Sequence, residues 1–247
     1  MSEHGSSRRN GPAGHLKAWV KTHGAVVGSI TSVRTTRPEV VLTFDDGPDP
    51  EVTPRILDVL AAHGASATFF VLLDPARRDE RLLRRIEAEG HEVALHGLDH
   101  RRLPRLPARE ASRWLRTSRD QLAALTGRGV THFRPPHGAQ SPRTWLLTRA
   151  LGMRVVLWSG TTWDWKDVSQ EERVTKATQG AYAGQILLAH DGSHHDPEAA
   201  APVADVDKVD LLVRLLAAYD ERGLRCVSLR SALASGATPV RTVSFSS

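Results

Sequence analysis

The sequence has almost no cysteine and no long apolar run. Cys226 is the only cysteine among 247 residues, so no disulfide can form within the chain. A membrane-spanning helix needs about 18 or more consecutive apolar residues, and no run reaches that length. Residues 24–30 are too short and too rich in glycine to be the apolar core of a secretory signal. The sequence therefore predicts a cytoplasmic protein with no membrane segment.

Lysine is also scarce, and arginine supplies most of the positive charge. The formal net charge is +5 at pH 7 and the isoelectric point is about 9.9. No basic stripe alternates with aromatic residues, as it does in many nucleic-acid-binding modules. The arginine-rich stretch 77–85 contains Asp79 and Glu80, which is typical of a solvent-exposed helix face. We predict no nucleic-acid partner.

Strand-like and helix-like segments alternate from residue 39 onwards. Apolar runs predict strands at 39–44, 67–72, 91–96, 131–134, 154–158, 185–190 and 225–229. Apolar periodicity predicts helices near 51–63, 79–89, 108–126, 141–151, 169–182 and 206–222. This alternation favours an α/β domain with a parallel sheet, closed or nearly closed. We expect a flexible extension and lead-in over residues 1–38, the domain over 39–232, a loop over 191–204 and a tail over 233–247.

Two adjacent carboxylates, Asp45 and Asp46, follow the apolar run 40–44. Enzymes with parallel sheets place their chemistry at the C-terminal ends of the strands. Two neighbouring carboxylates are costly there unless a cation holds them. The alternative is a helix N-cap with a turn through Gly47 and Pro48. The DDGP motif alone does not decide between these two interpretations.

Two histidines, His96 and His100, follow the apolar run 93–95. Two imidazoles and one carboxylate suit a catalytic zinc ion, because they leave positions open for water and substrate. The chain has 12 histidines, so this spacing also arises by chance. The spacing of the two histidines therefore indicates a metal site only in combination with other segments of the chain.

Three further segments place chemically versatile side chains at predicted strand ends. Arg134 precedes two prolines that stiffen the loop leading to Gly138. Asp164 lies between two tryptophans, and His190 ends the apolar run 186–189. Taken singly, the proline loop is an ordinary rigid turn and His190 is an ordinary core histidine.

Taken together, these segments resemble the polysaccharide deacetylases, the NodB-homology family of carbohydrate esterases. The resemblance covers about residues 39–232 and consists of five short motifs in the family's order. The motifs are TFDDGP at 43–48, HGLDH at 96–100, RPPHG at 134–138, DW at 164–165 and LAH at 188–190. The resemblance implies a single-domain, distorted (β/α)7 barrel with parallel strands.

The resemblance also implies a metal site with a base beside it. Asp46, His96 and His100 would bind one divalent metal ion, with Zn²⁺ as the first expectation and Co²⁺ or another divalent ion as the alternative. Asp45 would take a proton from the attacking water, and Arg134 would keep that carboxylate ionised and oriented.

The remaining matched residues would serve the leaving group and the substrate. His190 would protonate the departing amine, and Asp164 would raise the pKa of His190. The backbone N–H of His137 would help to bind the oxyanion. Trp165 and Leu188 would line a small apolar pocket for the acetyl methyl group.

Four positions depart from the family's usual pattern. Gly97 stands where Ser or Thr is usual, and Arg101 stands where Pro is common. His137 replaces a Tyr, and Thr161 replaces the first Asp of a DxxDW pattern. No metal ligand or proton carrier is lost, so these departures concern the identity of the substrate more than activity.

The function that we predict is metal-dependent N-deacetylation of an N-acetylated amino sugar, giving a free amine and acetate. The substrate would be an oligosaccharide or a sugar-bearing metabolite. One alternative is a cyclic-amide or O-acetyl ester hydrolase on the same fold. Another is a non-catalytic carbohydrate-binding protein, although such a protein has no use for five intact catalytic-type residues.

Overall fold

A computed structural model of the protein describes residues 27–193 and 204–246. Its strands are β1 Ser29–Arg34, β2 Glu39–Asp45, β3 Thr68–Leu72, β4 Glu92–Gly97, β5 His132–Phe133, β6 Arg154–Val155, β7 Gly160–Thr161, β8 Ile186–His190, β9 Arg225–Val227 and β10 Thr238–Thr242. Its α-helices are α1 Val52–Ala62, α2 Leu73–Arg78, α3 Glu80–Ala88, α4 Ala108–Thr126, α5 Pro142–Ala150, α6 Gln170–Thr178, α7 Lys208–Asp220 and α8 Leu229–Ala234. Short 3₁₀ helices cover Leu103–Arg105 and Pro136–Gly138.

The strands β2 to β9 form one curled sheet in which the paired strands are parallel. The order is β6-β5-β4-β3-β2-β8-β7, and β9 also pairs with β2. Helices connect most of the successive strands, as a parallel sheet requires. The predicted fold class, an α/β barrel of parallel strands, is confirmed. The described sheet has eight strands, whereas the sequence predicts seven. The additional strand is β7, which has only two residues and no apolar run that would predict it.

The interior of the barrel and its outer layer are both apolar, and β2 contributes to both. Val41 packs inside with residues from β1, β3, β4 and β8. Val40, Leu42 and Phe44 face outward and pack with α1 and the other helices. Every residue of β2 is buried, which explains its nearly continuous apolar sequence.

The first and last strands were missed by the sequence analysis. β1 contacts the β6 and β8 regions of the curled sheet, where Ile30 bridges Val156 and Ser32 bridges Gln185. β10 pairs with β1 in antiparallel orientation. Both segments were expected to lie in the lead-in and the tail. Their sequences, SITSVR and TPVRT, are too polar to give an apolar run, and they form strands because they pair with each other. The division of the chain at residues 38 and 233 stays a prediction.

Several local signals in the sequence are confirmed. Ser141 and Ser169 both cap a helix N-terminus in a capping box. Gly64 and Gly90 follow helix ends with positive φ angles of 58° and 87°, as C′ glycines do. Cys226 is buried in β9. Most of the predicted 191–204 loop, including its two histidines at 194 and 195, lies outside the described residues.

The helices of the described part of the chain include none that is both long and apolar enough to cross a bilayer.

Candidate active site

The register of the sheet brings the predicted site residues to one end of the barrel. Asp45 ends β2 and pairs in register with His190, which ends β8. Because β2 and β8 are parallel, both side chains lie at the C-terminal edge. His96 lies near the end of β4, so three strands of the same sheet, β2, β4 and β8, supply the centre of the site.

Asp46, His96 and His100 converge on one point. The Oδ1 atom of Asp46 lies 3.3 Å from Nε2 of His96 and 3.3 Å from Nε2 of His100. One ligand atom from each residue lies within 4.8 Å of the others, which is the spacing of a possible metal site. Asp46 adopts a positive φ of 75°, a conformation that is costly for a non-glycine residue and that is found at functional sites.

The tautomer of His96 supports a cation at this point. Its Nδ1 lies 2.8 Å from the carbonyl oxygen of Arg134, which can only accept, so Nδ1 carries the proton. In the neutral ring, Nε2 therefore presents a lone pair to the carboxylate of Asp46. Two electron-rich atoms 3.3 Å apart need a proton or a metal ion between them. With the His100 nitrogen at the same distance, the donor set fits a divalent ion with a second-shell carbonyl behind one histidine.

The charge of Asp46 is stabilised by its neighbours. Burial raises its pKa, but hydrogen bonding with His96 and the charges of His190, His96 and His100 outweigh burial. The pKa of Asp46 therefore lies well below its usual range. The carboxylate is ionised at neutral pH and available as a ligand.

Arg134 forms an ion pair with the second carboxylate, Asp45. Its Nη1 donates to Oδ1 of Asp45 at 2.7 Å and to Oγ1 of Thr43 at 2.8 Å. Arg134 is fully buried, and its guanidinium also lies 4.1 Å from the centre of the Phe70 ring. Burial lowers the pKa of Arg134, and the charge of Asp45 opposes that shift. The other oxygen of Asp45, Oδ2, lies 3.9 Å from Nε2 of His96, so it faces the possible metal site.

His190 lies opposite these groups and is held by Asp164. Its Nδ1 donates to Oδ1 of Asp164 at 2.8 Å, and its backbone N–H donates to Oδ2 at 2.7 Å. Burial lowers the pKa of His190, but the charge and hydrogen bond of Asp164 outweigh it, with Asp46 and Asp45 adding to the effect. The result is a pKa of about 9. His190 can therefore carry a proton at neutral pH, with Nε2 as the nitrogen that exchanges it.

A cleft of about 360 Å³ lies above these groups, a size that suits a small ligand. Trp165 and Leu188 line it, and the Trp165 ring meets the His190 ring edge to face at 5.5 Å. Two other residues, Trp158 and Lys208, also line the cleft, and neither was predicted as a site residue. Trp158 packs against Gly138, and Lys208 donates to the Gly192 carbonyl and to Ser193. These contacts join distant segments, and no local pattern in the sequence signals them.

The side chain of His137 points at the loop that carries His100. The centres of the His137 and His100 rings lie 4.2 Å apart. Nε2 of His137 donates to the backbone carbonyl oxygen of His100 at 3.1 Å. His137 has a φ of 60°, a left-handed conformation that is uncommon for a non-glycine residue. The predicted role of its backbone N–H in binding an oxyanion stays a prediction.

A buried aspartate, Asp191, was also missed. Its Oδ2 accepts a hydrogen bond from Thr53 Oγ1 at 2.6 Å. A Cβ atom at Gly47 would lie 2.1 Å from that oxygen, so the turn after Asp46 packs directly on the Asp191 carboxyl group. Burial raises the pKa of Asp191 to about 7, although the hydrogen bond from Thr53 lowers it. The DDGP motif therefore needs its glycine for close packing as well as for the turn.

All ten predicted site residues lie together. Nine of them line the cleft, namely Asp45, Asp46, His96, His100, His137, Asp164, Trp165, Leu188 and His190. Arg134 lies directly beneath Asp45. The proximity of the residues is observed, whereas the role of each one stays a prediction.

The sequence model of a family described as polysaccharide deacetylase matches residues 32–156. The chain belongs to the polysaccharide deacetylase family. Similar proteins include a chitooligosaccharide deacetylase of Sinorhizobium fredii. It is 37% identical over 197 residues, which cover 79% of this chain and 92% of the relative.

Solved structures of related proteins share the fold of this polysaccharide deacetylase. One is the Bc1960 peptidoglycan N-acetylglucosamine deacetylase, crystallised with 4-naphthalen-1-yl-N-oxidanyl-benzamide. It has a TM-score of 0.74 and 29% identity, and the match covers 87% of this chain and 94% of that one. A second is a family pseudoenzyme from Bacillus anthracis, with a TM-score of 0.72, 22% identity and coverage of 83% and 68%. At that identity the likeness shows the fold alone.

Proposed function

We propose that this polysaccharide deacetylase hydrolyses the acetamide of an N-acetylated amino sugar, giving a free amine and acetate. The substrate would be an oligosaccharide or another sugar-bearing molecule. The names of the chitooligosaccharide and peptidoglycan N-acetylglucosamine deacetylases to which the chain is similar support this substrate class. The observation that carries the proposal is the convergence of Asp46, His96 and His100 on one point. The same cleft contains the Asp45 carboxylate, which is paired with Arg134, and the His190 ring, which is paired with Asp164.

Asp46, His96 and His100 would hold one divalent ion, and we propose Zn²⁺, because two imidazoles and a carboxylate suit its ligand preferences. When bound, such an ion lowers the pKa of water and polarises a carbonyl group. The His96 ring is held by the Arg134 carbonyl. That contact leaves Nε2 as the ring nitrogen that would bind the ion.

Asp45 acts as the general base in this proposal. Arg134 occupies its Oδ1 and leaves Oδ2 directed at the metal group, where the attacking water would lie. Proton transfer to a positioned base typically contributes about 10²–10⁴-fold in rate. The hydrogen bond from the buried guanidinium keeps the carboxylate in place.

His190 acts as the general acid. Amide hydrolysis releases an amine, which leaves readily only when it is protonated. The Asp164 carboxylate fixes the Nδ1–H tautomer and raises the pKa of His190, so a proton is available at Nε2 at neutral pH. Trp165 and Leu188 would enclose the acetyl methyl group beside His190, and the His137 N–H would donate to the oxyanion. A single oxyanion donor is typically worth about 10²–10³-fold in rate.

The test is acetate release from N-acetylglucosamine oligomers by zinc-loaded protein, compared with chelator-treated protein. We expect release that chelation abolishes and added Zn²⁺ restores. Asp45→Asn should keep stoichiometric zinc yet lose about 10²-fold or more in kcat. Turnover close to wild type in that variant would refute the role of Asp45 as the base.

The same experiment separates the alternative functions. Release of acetate from acetyl esters, or opening of ring amides, without turnover of N-acetylated sugars would favour the alternative of a cyclic-amide or O-acetyl ester hydrolase. Zinc binding with no turnover of any acetylated substrate would favour a non-catalytic carbohydrate-binding protein. The position of His190 as a proton donor favours an amide substrate over an ester. The alcohol that an ester releases depends less on protonation by a general acid than the amine that an amide releases.

A further inference from the structure

The loop that carries His100 rests on a tryptophan from α4. Gly97 begins this loop with a φ of 145°, and a Cβ atom there would lie 2.2 Å from the Trp114 ring. The indole therefore fills the space beneath the loop, and no side chain fits at residue 97. Trp114 is only 3% exposed, so its ring is part of the core as well as a support for the loop.

The same indole makes a hydrogen bond into the loop. Its Nε1–H donates to Oδ1 of Asp99 at 3.0 Å, and Asp99 immediately precedes His100. Asp99 also accepts from the side chain of Arg101 at 3.0 and 3.1 Å, and Arg101 reaches Glu110 on α4 at 3.0 Å. The ion pairs of Arg101 are solvent-exposed and so contribute little. The bond from the buried indole is the stronger tie between α4 and the loop.

We propose that Trp114 is a positioning residue for the metal site, acting through Asp99 to fix the backbone that carries His100. The inference rests on the proposed function, because it assumes that His100 is a metal ligand. The physical reason is entropic: a ligand on a loose loop has to be ordered when the ion binds. Mutation of residues that support metal ligands from the outer shell typically lowers the affinity for the metal about 10–100-fold. In this chain, the indole and Asp99 brace a loop that has glycine at 97 and arginine at 101.

The test measures the affinity for Zn²⁺ alone, by competition with a chelating dye, using the full chain. Trp114→Phe keeps an aromatic ring beneath Gly97 but removes the N–H donor. We expect its Kd for zinc to rise about 10-fold or more, while kcat at saturating zinc stays near the wild-type value. The matched control is Trp145→Phe, because the Trp145 N–H is buried without a hydrogen-bond partner among the described residues. Its zinc Kd should not change.

Two variants of Asp99 distinguish positioning from general loss of packing. Asp99→Asn keeps an acceptor oxygen for the indole and should bind zinc nearly as wild type does. Asp99→Ala should weaken zinc binding as much as Trp114→Phe does, and the double variant should be no weaker than either single one. Thermal unfolding of the metal-free variants checks that all of them fold. Should Asp99→Ala fold poorly, the comparison of Trp114→Phe with Asp99→Asn still decides.

The outcomes separate the two proposals. A zinc Kd in Trp114→Phe equal to wild type, or losses that add in the double variant, would overturn the positioning role alone. Zinc binding with no acetate release by the wild type would overturn the proposed function and leave the positioning role standing. A wild-type chain that binds no zinc would overturn both.

Discussion

The carboxylate of Asp164 holds His190 at two points, the ring Nδ1 and the backbone N–H, at 2.8 and 2.7 Å. Both oxygens of Asp164 are therefore committed to one residue. This contact sets the orientation, the tautomer and the charge of the histidine at once. The pH dependence of the protein should report on it.

Asp164→Asn should move the alkaline limb of the pH–kcat/KM profile. The Asp164 charge favours the protonated form of His190, so its loss should lower the pKa of that histidine by about 1–3 pH units. A divalent ion bound beside Asp46 would also lower this pKa, so wild-type and variant profiles have to be recorded at saturating zinc. An unchanged alkaline limb in the variant would contradict the role of His190 as the acid.

The same pair should make the stability of the metal-free protein depend on pH. The folded-state pKa of His190, about 9, lies above its ordinary value of 6.5. The contribution of the pair to stability is therefore complete below about pH 6.5 and is lost as the pH rises through about 9. Urea unfolding between pH 6 and 10 should show this decline in wild type and a weaker one in Asp164→Asn. Equal slopes would show that the pair is not the source.

Arg134→Met should destabilise the fold strongly. It leaves the Asp45 carboxylate buried without its cation, and breaking a buried pair typically costs about 3–5 kcal/mol. Arg84→Met is the matched control, because Arg84 pairs with Glu80 on the exposed surface of α3, where such pairs are worth about 0–1 kcal/mol. Urea unfolding measures both. Similar losses in the two variants would contradict the importance of burial.

Gly47→Ala should destabilise the turn after the two aspartates. The added methyl group would lie 2.1 Å from the buried carboxyl of Asp191, and overpacking typically costs about 1–3 kcal/mol. Gly129→Ala is the control, because a Cβ atom there meets nothing within 4 Å. The melting temperatures of the metal-free proteins compare the two. A wild-type melting temperature in Gly47→Ala would mean that the turn can shift freely.

His96→Ala should remove the metal. Its ring supplies one of the three converging donor atoms, so its loss leaves two of the three proposed ligands. The exposed residue His63 gives the control, His63→Ala, which should keep one zinc ion per chain. Zinc content after dialysis measures the difference. Stoichiometric zinc in His96→Ala would exclude that residue as a ligand.

Much of the fold could be predicted because parallel strands buried on both faces leave continuous apolar runs, as in β2 and β8. β1 and β10 could not, because their sequences are too polar to give an apolar run and their pairing joins the two ends of the described chain. The proximity of the site residues followed from strand ends and motif order. Trp114, Trp158 and Asp191 were missed because their contacts lie between segments far apart in the chain. The cytoplasmic location and the individual catalytic roles stay predictions.

The ribbon of β1 and β10 has a further consequence for protein engineering. Ser29 pairs with Thr242, so the first and last strands of the described fold end side by side. A linker that joins the paired ends of these two strands, Thr242 and Ser29, would therefore be short. The turn at Gly129, far along the chain and open around its Cα, would then serve as new termini. Circular permutation at that turn should preserve the barrel, because the pairing of β1 with β10 would be kept.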